Sequence, residues 1–240
     1  MSVPSSNGYT FSDEDDLHIF RSSSDPELAK RIIRVKHDEP GTEHLHLSSV
    51  DSLNEIDWPR LGVILGQNTN LKELRLKNYN VDMAGLGAGL RNNKHIRSLE
   101  FLGIDLQGAE KLSSLAPFLS YNPSLKVILL EGCNLGPAGI SILSTVLLNR
   151  PEDTLEALGL SSNGFGDIDL DELFLNSCRI RNLRMLLLDN NGIGRNGCNS
   201  LSKLLENQES NLEQLDLSYN SIDKTTVLSF WQILWPRIQS

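Results

Sequence analysis

Large apolar residues return along this chain in one repeated order. The frame L-x-x-L-x-L-x-x-N-x-L fits residues 155–165, 183–193 and 212–222, and with a changed ninth position it opens again at Leu71, Ile96 and Leu125. Successive starts lie 25, 29, 30, 28 and 29 residues apart. Within each frame the fourth and sixth positions are apolar, and this period of two predicts a short strand with one buried face. The expected inward pairs are Leu74/Leu76, Leu99/Phe101, Ile128/Leu130, Leu158/Leu160, Leu186/Leu188 and Leu215/Leu217. One period before Leu71, the stretch TEHLHLSSVDS keeps Leu45 and Leu47 in phase but lacks the first leucine and the asparagine, a degenerate copy that brings the total to seven. Between frames the apolar spacing changes to three and four, as in GPAGISILSTVLLN and GRNGCNSLSKLLEN, and predicts helices. Their approximate spans are 57–67, 82–91, 107–120, 137–148, 168–177, 195–207 and 224–235.

A fixed period of this length is the mark of stacked units, each burying its apolar side only against its neighbours. A helix is wider than the roughly 4.8 Å between paired strands, so helices outside and strands inside curve the stack. Segments such as LKVILLEGCNLGPAG and LRMLLLDNNGIGRNG then carry a resemblance. With L-x-x-L-x-L-x-x-[N/C]-x-L-G-x-x-G at this spacing, residues 42 to about 235 resemble the ribonuclease-inhibitor class of leucine-rich repeat. The resemblance implies an α/β solenoid, a right-handed horseshoe with parallel strands on the concave face and helices on the convex face. It implies partner binding in general and no single partner, because the family includes inhibitors, activators of small GTPases, immune sensors and scaffolds.

The expected organisation is a flexible acidic and Ser-rich tail over residues 1–25, a helical cap over 26–41 beginning at Pro26, and the repeat domain over 42–240. Within the tail, Ser12 precedes four acidic residues in a context that acidophilic kinases favour. Trp231 and Trp235, one helical turn apart, are expected to cover the last repeat. A composition of 39% hydrophobic and 22% charged residues is that of a soluble domain, and no run approaches the roughly 18 apolar residues of a membrane span. The N-terminus MSVPSSNGYTFSDEDD is polar and acidic where a secretory signal is basic and then apolar, so the expected location is the cytoplasm or nucleus. A net charge of −9 opposes binding to phosphate backbones. The one basic segment, Lys30, Arg31, Arg34 and Lys36, interleaves with apolar residues as the wet face of a helix. Cys133, Cys178 and Cys198 lack the spacing of a zinc site or a disulfide framework and are expected to be reduced thiols.

The informative side chains are those between the core leucines, which should line the concave face. At the N-terminal end they are basic or titratable, in the middle apolar, and at the C-terminal end acidic. The candidate partner-binding residues are Leu102, Val127, Leu129, Met185 and Leu187 around the small Ala157 and Gly159, flanked by Glu131, Asp189 and Asp216. They predict a protein partner with an apolar anchor and a basic flank, bound by a monomer. His44 and His46 share a strand face with Glu73 expected opposite His44, but with no fourth ligand in view they are read as surface histidines. No cofactor and no metal is expected. Asn163, Asn191 and Asn220 at the ninth position, and Cys133 in their place in an earlier repeat, are read as bonding the backbone that leaves the strand. No G-x-S-x-G, phosphate-binding loop or H-E-x-x-H occurs, which points away from catalysis. The alternative is a regulator of GTP hydrolysis similar to the Ran GTPase-activating proteins, with Arg195 as the side chain to reach a phosphate.

Overall fold

The computed structural model describes residues 26–48, 56–175, 182–206 and 211–230. The expected tail, with Ser12, and also Cys178, Trp231 and Trp235 lie outside the described residues. After a first helix α1 (Pro26–Lys36), strands and helices alternate without exception: β1 (His44–Ser48), α2 (Trp58–Gln67), β2 (Glu73–Lys77), α3 (Met83–Leu90), β3 (Ser98–Leu102), α4 (Ala109–Tyr121), β4 (Val127–Glu131), α5 (Gly136–Asn149), β5 (Ala157–Gly159), α6 (Asp167–Leu175), β6 (Met185–Leu187), α7 (Arg195–Glu206) and β7 (Gln214–Asp216). Residues 224–230 are again helical. The strands form one sheet in the order β1-β2-β3-β4-β5-β6-β7, and every pairing is parallel. A parallel neighbour requires a crossover, and a helix supplies each one. The result is an α/β repeat solenoid, the fold that the spacing predicts.

The alternation has the predicted phase. Leu45, Leu74, Leu99, Ile128, Leu158 and Leu186 are fully buried, and so are Leu76, Phe101, Leu130, Leu160 and Leu188. Burying one such side chain stabilises by roughly 1.5–3 kcal/mol, and the stripe shares the core with the inward faces of the helices. Helix α1 turns Leu28, Ile32 and Val35 into the same core. Its basic residues stay at the surface as expected, Lys30 pairing with Glu27 at 2.7 Å and Arg34 with Glu39 at 3.0 Å.

The helix of the shortest repeat, 25 residues from Leu71 to Ile96, packs backbone to backbone on the helix of the repeat before it. A Cβ on Gly89 of α3 would overlap the backbone of Gly62 in α2, and a Cβ on Gly66 would overlap the Gly89 carbonyl. Asp57 and Asp82 cap these two helices, accepting hydrogen bonds from Arg60 N and Gly85 N at 3.1 Å each.

At the exit of β2 to β7 the eighth residue of the frame steps into the left-handed region. The φ values are 56° at Asn78, 64° at Gly103, 60° at Gly132, 59° at Ser162, 53° at Asn190 and 55° at Tyr219. In this conformation the amides of the first five reach forward to the next repeat: Asn78 N to Leu102 O at 2.9 Å, Gly103 N to Glu131 O at 2.8 Å, Gly132 N to Ser161 O at 2.9 Å, Ser162 N to Asp189 O at 3.0 Å and Asn190 N to Ser218 O at 2.8 Å. Beside this row, Asn163 Oδ1 accepts from Cys133 N at 3.0 Å while its amide donates to Leu130 O at 2.6 Å, and Asn191 and Asn220 repeat the arrangement. The ninth positions of the second and third repeats hold Tyr79 and Ile104 instead. Tyr79 is buried edge-on to Trp58, with its hydroxyl donating to Ser48 O at 2.7 Å.

Candidate functional site

The strand register brings most of the expected concave residues together. Val127 faces Ala157, which faces Met185, and Leu129 faces Gly159, which faces Leu187. These are two apolar rows across three strands. Leu102 lies beside Glu131 on the neighbouring row, and Asp216 lies beside Leu187. Val127, Leu129, Met185, Leu187 and Leu102 are half-buried rather than open, and Glu131 is exposed.

The half-burial has a local cause. A Cβ on Gly159 would lie 2.7 Å from Cδ2 of Leu129, so the leucine side chain leans across the glycine and fills the space a larger residue would occupy. The small residues of β5 therefore make no pit, and the apolar surface is continuous and shallow.

The acidic flank is less free than its sequence positions suggest. Asp189 accepts a hydrogen bond from the Ser161 hydroxyl. Asp216 accepts from Ser218 N at 2.9 Å, and hydrogen bonds from Ser218 hold its carboxyl below the usual range. Both carboxylates remain half-buried at the edge of the apolar rows.

At the N-terminal end of the same face the charged side chains form one network. Glu73 Oε2 meets His44 Nδ1 at 2.8 Å and Glu73 Oε1 meets His46 Nε2 at 2.6 Å. Burial alone would raise the Glu73 carboxyl, but hydrogen bonds from His44 and His46 and their charge bring it below its ordinary value. Arg75 bonds Glu100 at 2.6 Å, and Ser98 donates to the other oxygen of Glu100 at 3.1 Å. Sequence position alone did not single out Glu100, which is buried here by its pairing with Arg75.

Among the described residues, Cys133 and Cys198 are both buried. Burial pushes the Cys133 thiol up to about 12, and its sulfur donates to Phe101 O at 3.3 Å and to Glu131 O at 3.4 Å, which is a structural role. Burial also raises Cys198. Arg195 donates to Asp223 at 3.1 Å and to the Thr225 hydroxyl at 2.6 Å, at the surface.

A second set of asparagines escaped the reading of the sequence. Asn68, Asn93 and Asn122 each lie three residues before the first apolar residue of a frame, at the corner where helix passes to strand. Asn93 Nδ2 donates to Leu65 O at 2.7 Å and its Oδ1 accepts from His95 N and Ile96 N at 2.9 Å. Asn122 Nδ2 donates to Ile96 O at 3.1 Å. In the next repeat Arg150 takes over with its guanidinium on Leu119 O and Leu125 O, and burial lowers it to about 10. The signal available in the sequence was the spacing N-x-x-[L/I], repeated three times.

No family model matches the chain, and no curated protein matches it. Among solved structures, similarity is found to an internalin (inlF) from Listeria monocytogenes, at 20% identity and a TM-score of 0.43 over 70% of this chain and 48% of the other. It is also found to Rad7 in the yeast Rad7 and Elc1 complex, at 14% identity and a TM-score of 0.42 over 84% and 63%, and to the tropomodulin C-terminal domain of Caenorhabditis elegans, at 13% identity and 0.39 over 89% and 96%. The chain spans about half the length of the internalin it matches. The fold assignment rests on the strand order and register described above. No helix among the described residues is long and apolar enough to cross a membrane.

Proposed function

We propose that this chain is a non-enzymatic interaction module of the ribonuclease-inhibitor-like class, a monomer of the cytoplasm or nucleus that holds a partner protein on its concave face. The subclass reading is supported by repeats of 25 to 30 residues in which every crossover is helical. The binding reading is carried by one observation: the contiguous rows Val127–Ala157–Met185 and Leu129–Gly159–Leu187, edged by Glu131, Asp189 and Asp216, in a chain of net charge −9. Apolar surface in one patch gains most when covered, and carboxylates at its edge favour a guest with Arg or Lys beside its anchor. The shallow contour fits the face of a helix better than a single deep-seated side chain.

The test is fluorescence anisotropy with two labelled amphipathic helical peptides of equal apolar face, one flanked by Arg and Lys and the other by Glu. The basic peptide should bind, and the double variant Leu129→Asp/Leu187→Asp should abolish that binding while the circular dichroism spectrum stays unchanged. Equal binding of both peptides would remove the basic-flank reading, and undiminished binding by the double variant would remove the concave patch as the site.

A further inference from the structure

We propose that His44, His46 and Glu73 form a binding site for a divalent transition-metal ion of the zinc type. The two histidines occupy alternate positions of β1 and so share one face of the strand. Glu73 is the register partner of His44 on β2, which places a carboxylate beside the imidazole pair on a rigid ladder rather than a loop. Nδ1 of His44 and Nε2 of His46 approach opposite oxygens of the same carboxylate, at 2.8 and 2.6 Å. One donor atom from each of the three residues lies within 4.8 Å of the others.

Zinc bonds of about 2.0–2.1 Å arranged tetrahedrally set neighbouring donors about 3.3 Å apart. Separating the carboxylate from His44 by about 0.5 Å and from His46 by about 0.7 Å, and drawing the two rings together, admits the ion. Side-chain exposures of 63% for His44 and 43% for His46 leave the rings free to make that adjustment.

The surroundings admit a cation beside two guanidiniums. Arg75 lies 3.6 Å from Glu73, but its principal partner is Glu100 at 2.6 Å. Arg31 donates to the His46 carbonyl at 2.9 Å, so the two carboxylates Glu73 and Glu100 balance the two guanidiniums and the site carries no net positive charge when the imidazoles are neutral. Arg75 and Glu100 then act as the outer layer that fixes the Glu73 carboxylate. Two imidazole nitrogens and one carboxylate oxygen suit zinc, copper, nickel or cobalt, whereas calcium and magnesium prefer oxygen alone. Three protein donors leave a position for water. Bound there, the ion would join β1 to β2 in the one repeat whose frame lacks both the first leucine and the asparagine.

The site shares no residue with the apolar rows, so its test is independent of partner binding. Calorimetric titration of the full chain with Zn²⁺ alone should show one equivalent bound, and Co²⁺ alone should give a visible d–d absorption that Zn²⁺ abolishes. His46→Ala and Glu73→Gln should each weaken zinc at least about tenfold, while Leu129→Asp/Leu187→Asp leaves it unchanged. Equal zinc affinity in wild type and in His44→Ala/His46→Ala overturns the proposal, as does displacement of Co²⁺ by millimolar Mg²⁺. Should a variant fail to fold, histidine resonances of the wild-type chain decide. Zinc must perturb His44 and His46, and changes confined to His18, His37 and His95 refute the site.

Discussion

In the N-terminal half of the solenoid the asparagines Asn68, Asn93 and Asn122 sit where a helix passes the chain to the next strand, whereas in the C-terminal half Asn163, Asn191 and Asn220 sit where a strand passes it to the next helix. Both corners of every repeat leave buried backbone groups without partners from regular structure, and one side-chain amide can donate and accept at once. The halves thus meet the same demand at opposite corners. Where an amide is missing, another device appears. Tyr79 and Ile104 fill the exit corner with apolar volume in the early repeats, and Arg150 serves the entry corner in a later one. The halves also differ in strand length, five residues in β1 to β4 and three in β5 to β7. The early repeats are further tightened by the glycine contact between α2 and α3, where backbone meets backbone.

That contact gives the largest expected effect. Gly89→Ala should lower unfolding free energy by about 3 kcal/mol, because the new methyl group meets the Gly62 backbone, which cannot turn aside. Gly197→Ala in α7 is the matched control. Its Cβ would meet side-chain atoms of Asp167, Ile193 and Leu170 rather than backbone, and a smaller loss of about 1–2 kcal/mol is expected in urea denaturation. Equal losses would mean that the early repeats are not the more tightly packed.

An alanine series through the two amide rows sharpens the contrast. Asn93→Ala and Asn163→Ala each strand several buried backbone groups and should cost about 2–3 kcal/mol, whereas the half-buried Asn220→Ala should cost about 1 kcal/mol. If Asn93→Ala were as mild as Asn220→Ala, the entry-corner row would be incidental.

The strands and their phase were legible in the sequence because a period of two admits one inward face, and Leu45 to Leu188 follow it residue by residue. Helix positions were legible to within about two residues, as with 107–120 against Ala109–Tyr121. The entry-corner asparagines were not. Counting from the strand, Asn68, Asn93 and Asn122 look like ordinary loop residues, and only the carbonyls of the preceding repeat reveal their role. In the concave face the membership of the apolar rows was readable, but their contour was not, since Leu129 leaning over Gly159 is a contact between strands. The hydrogen bonds from Ser161 to Asp189 and from Ser218 to Asp216 were likewise invisible to a reading by charge.

The smallest effect should carry the opposite sign. Tyr219 holds φ at 55° and is 87% exposed, so Tyr219→Gly relieves strain at little loss of packing and should stabilise by up to about 1 kcal/mol. Gly132→Ala, at the matching place in an earlier repeat, should destabilise by about the same amount. Thermal denaturation of the pair shows whether the backbone step is equally demanding in both halves.

That left-handed step has a further consequence for how the coils find their alignment. Aliphatic alternation tolerates a slip of two residues between neighbouring strands, since every leucine would still point inward. A kink that recurs once per turn and hands one amide to the following coil does not, because a displaced kink would face the wrong carbonyl. It works as a phase mark, giving each coil an absolute position on the last and keeping a stack of near-identical units from settling out of step.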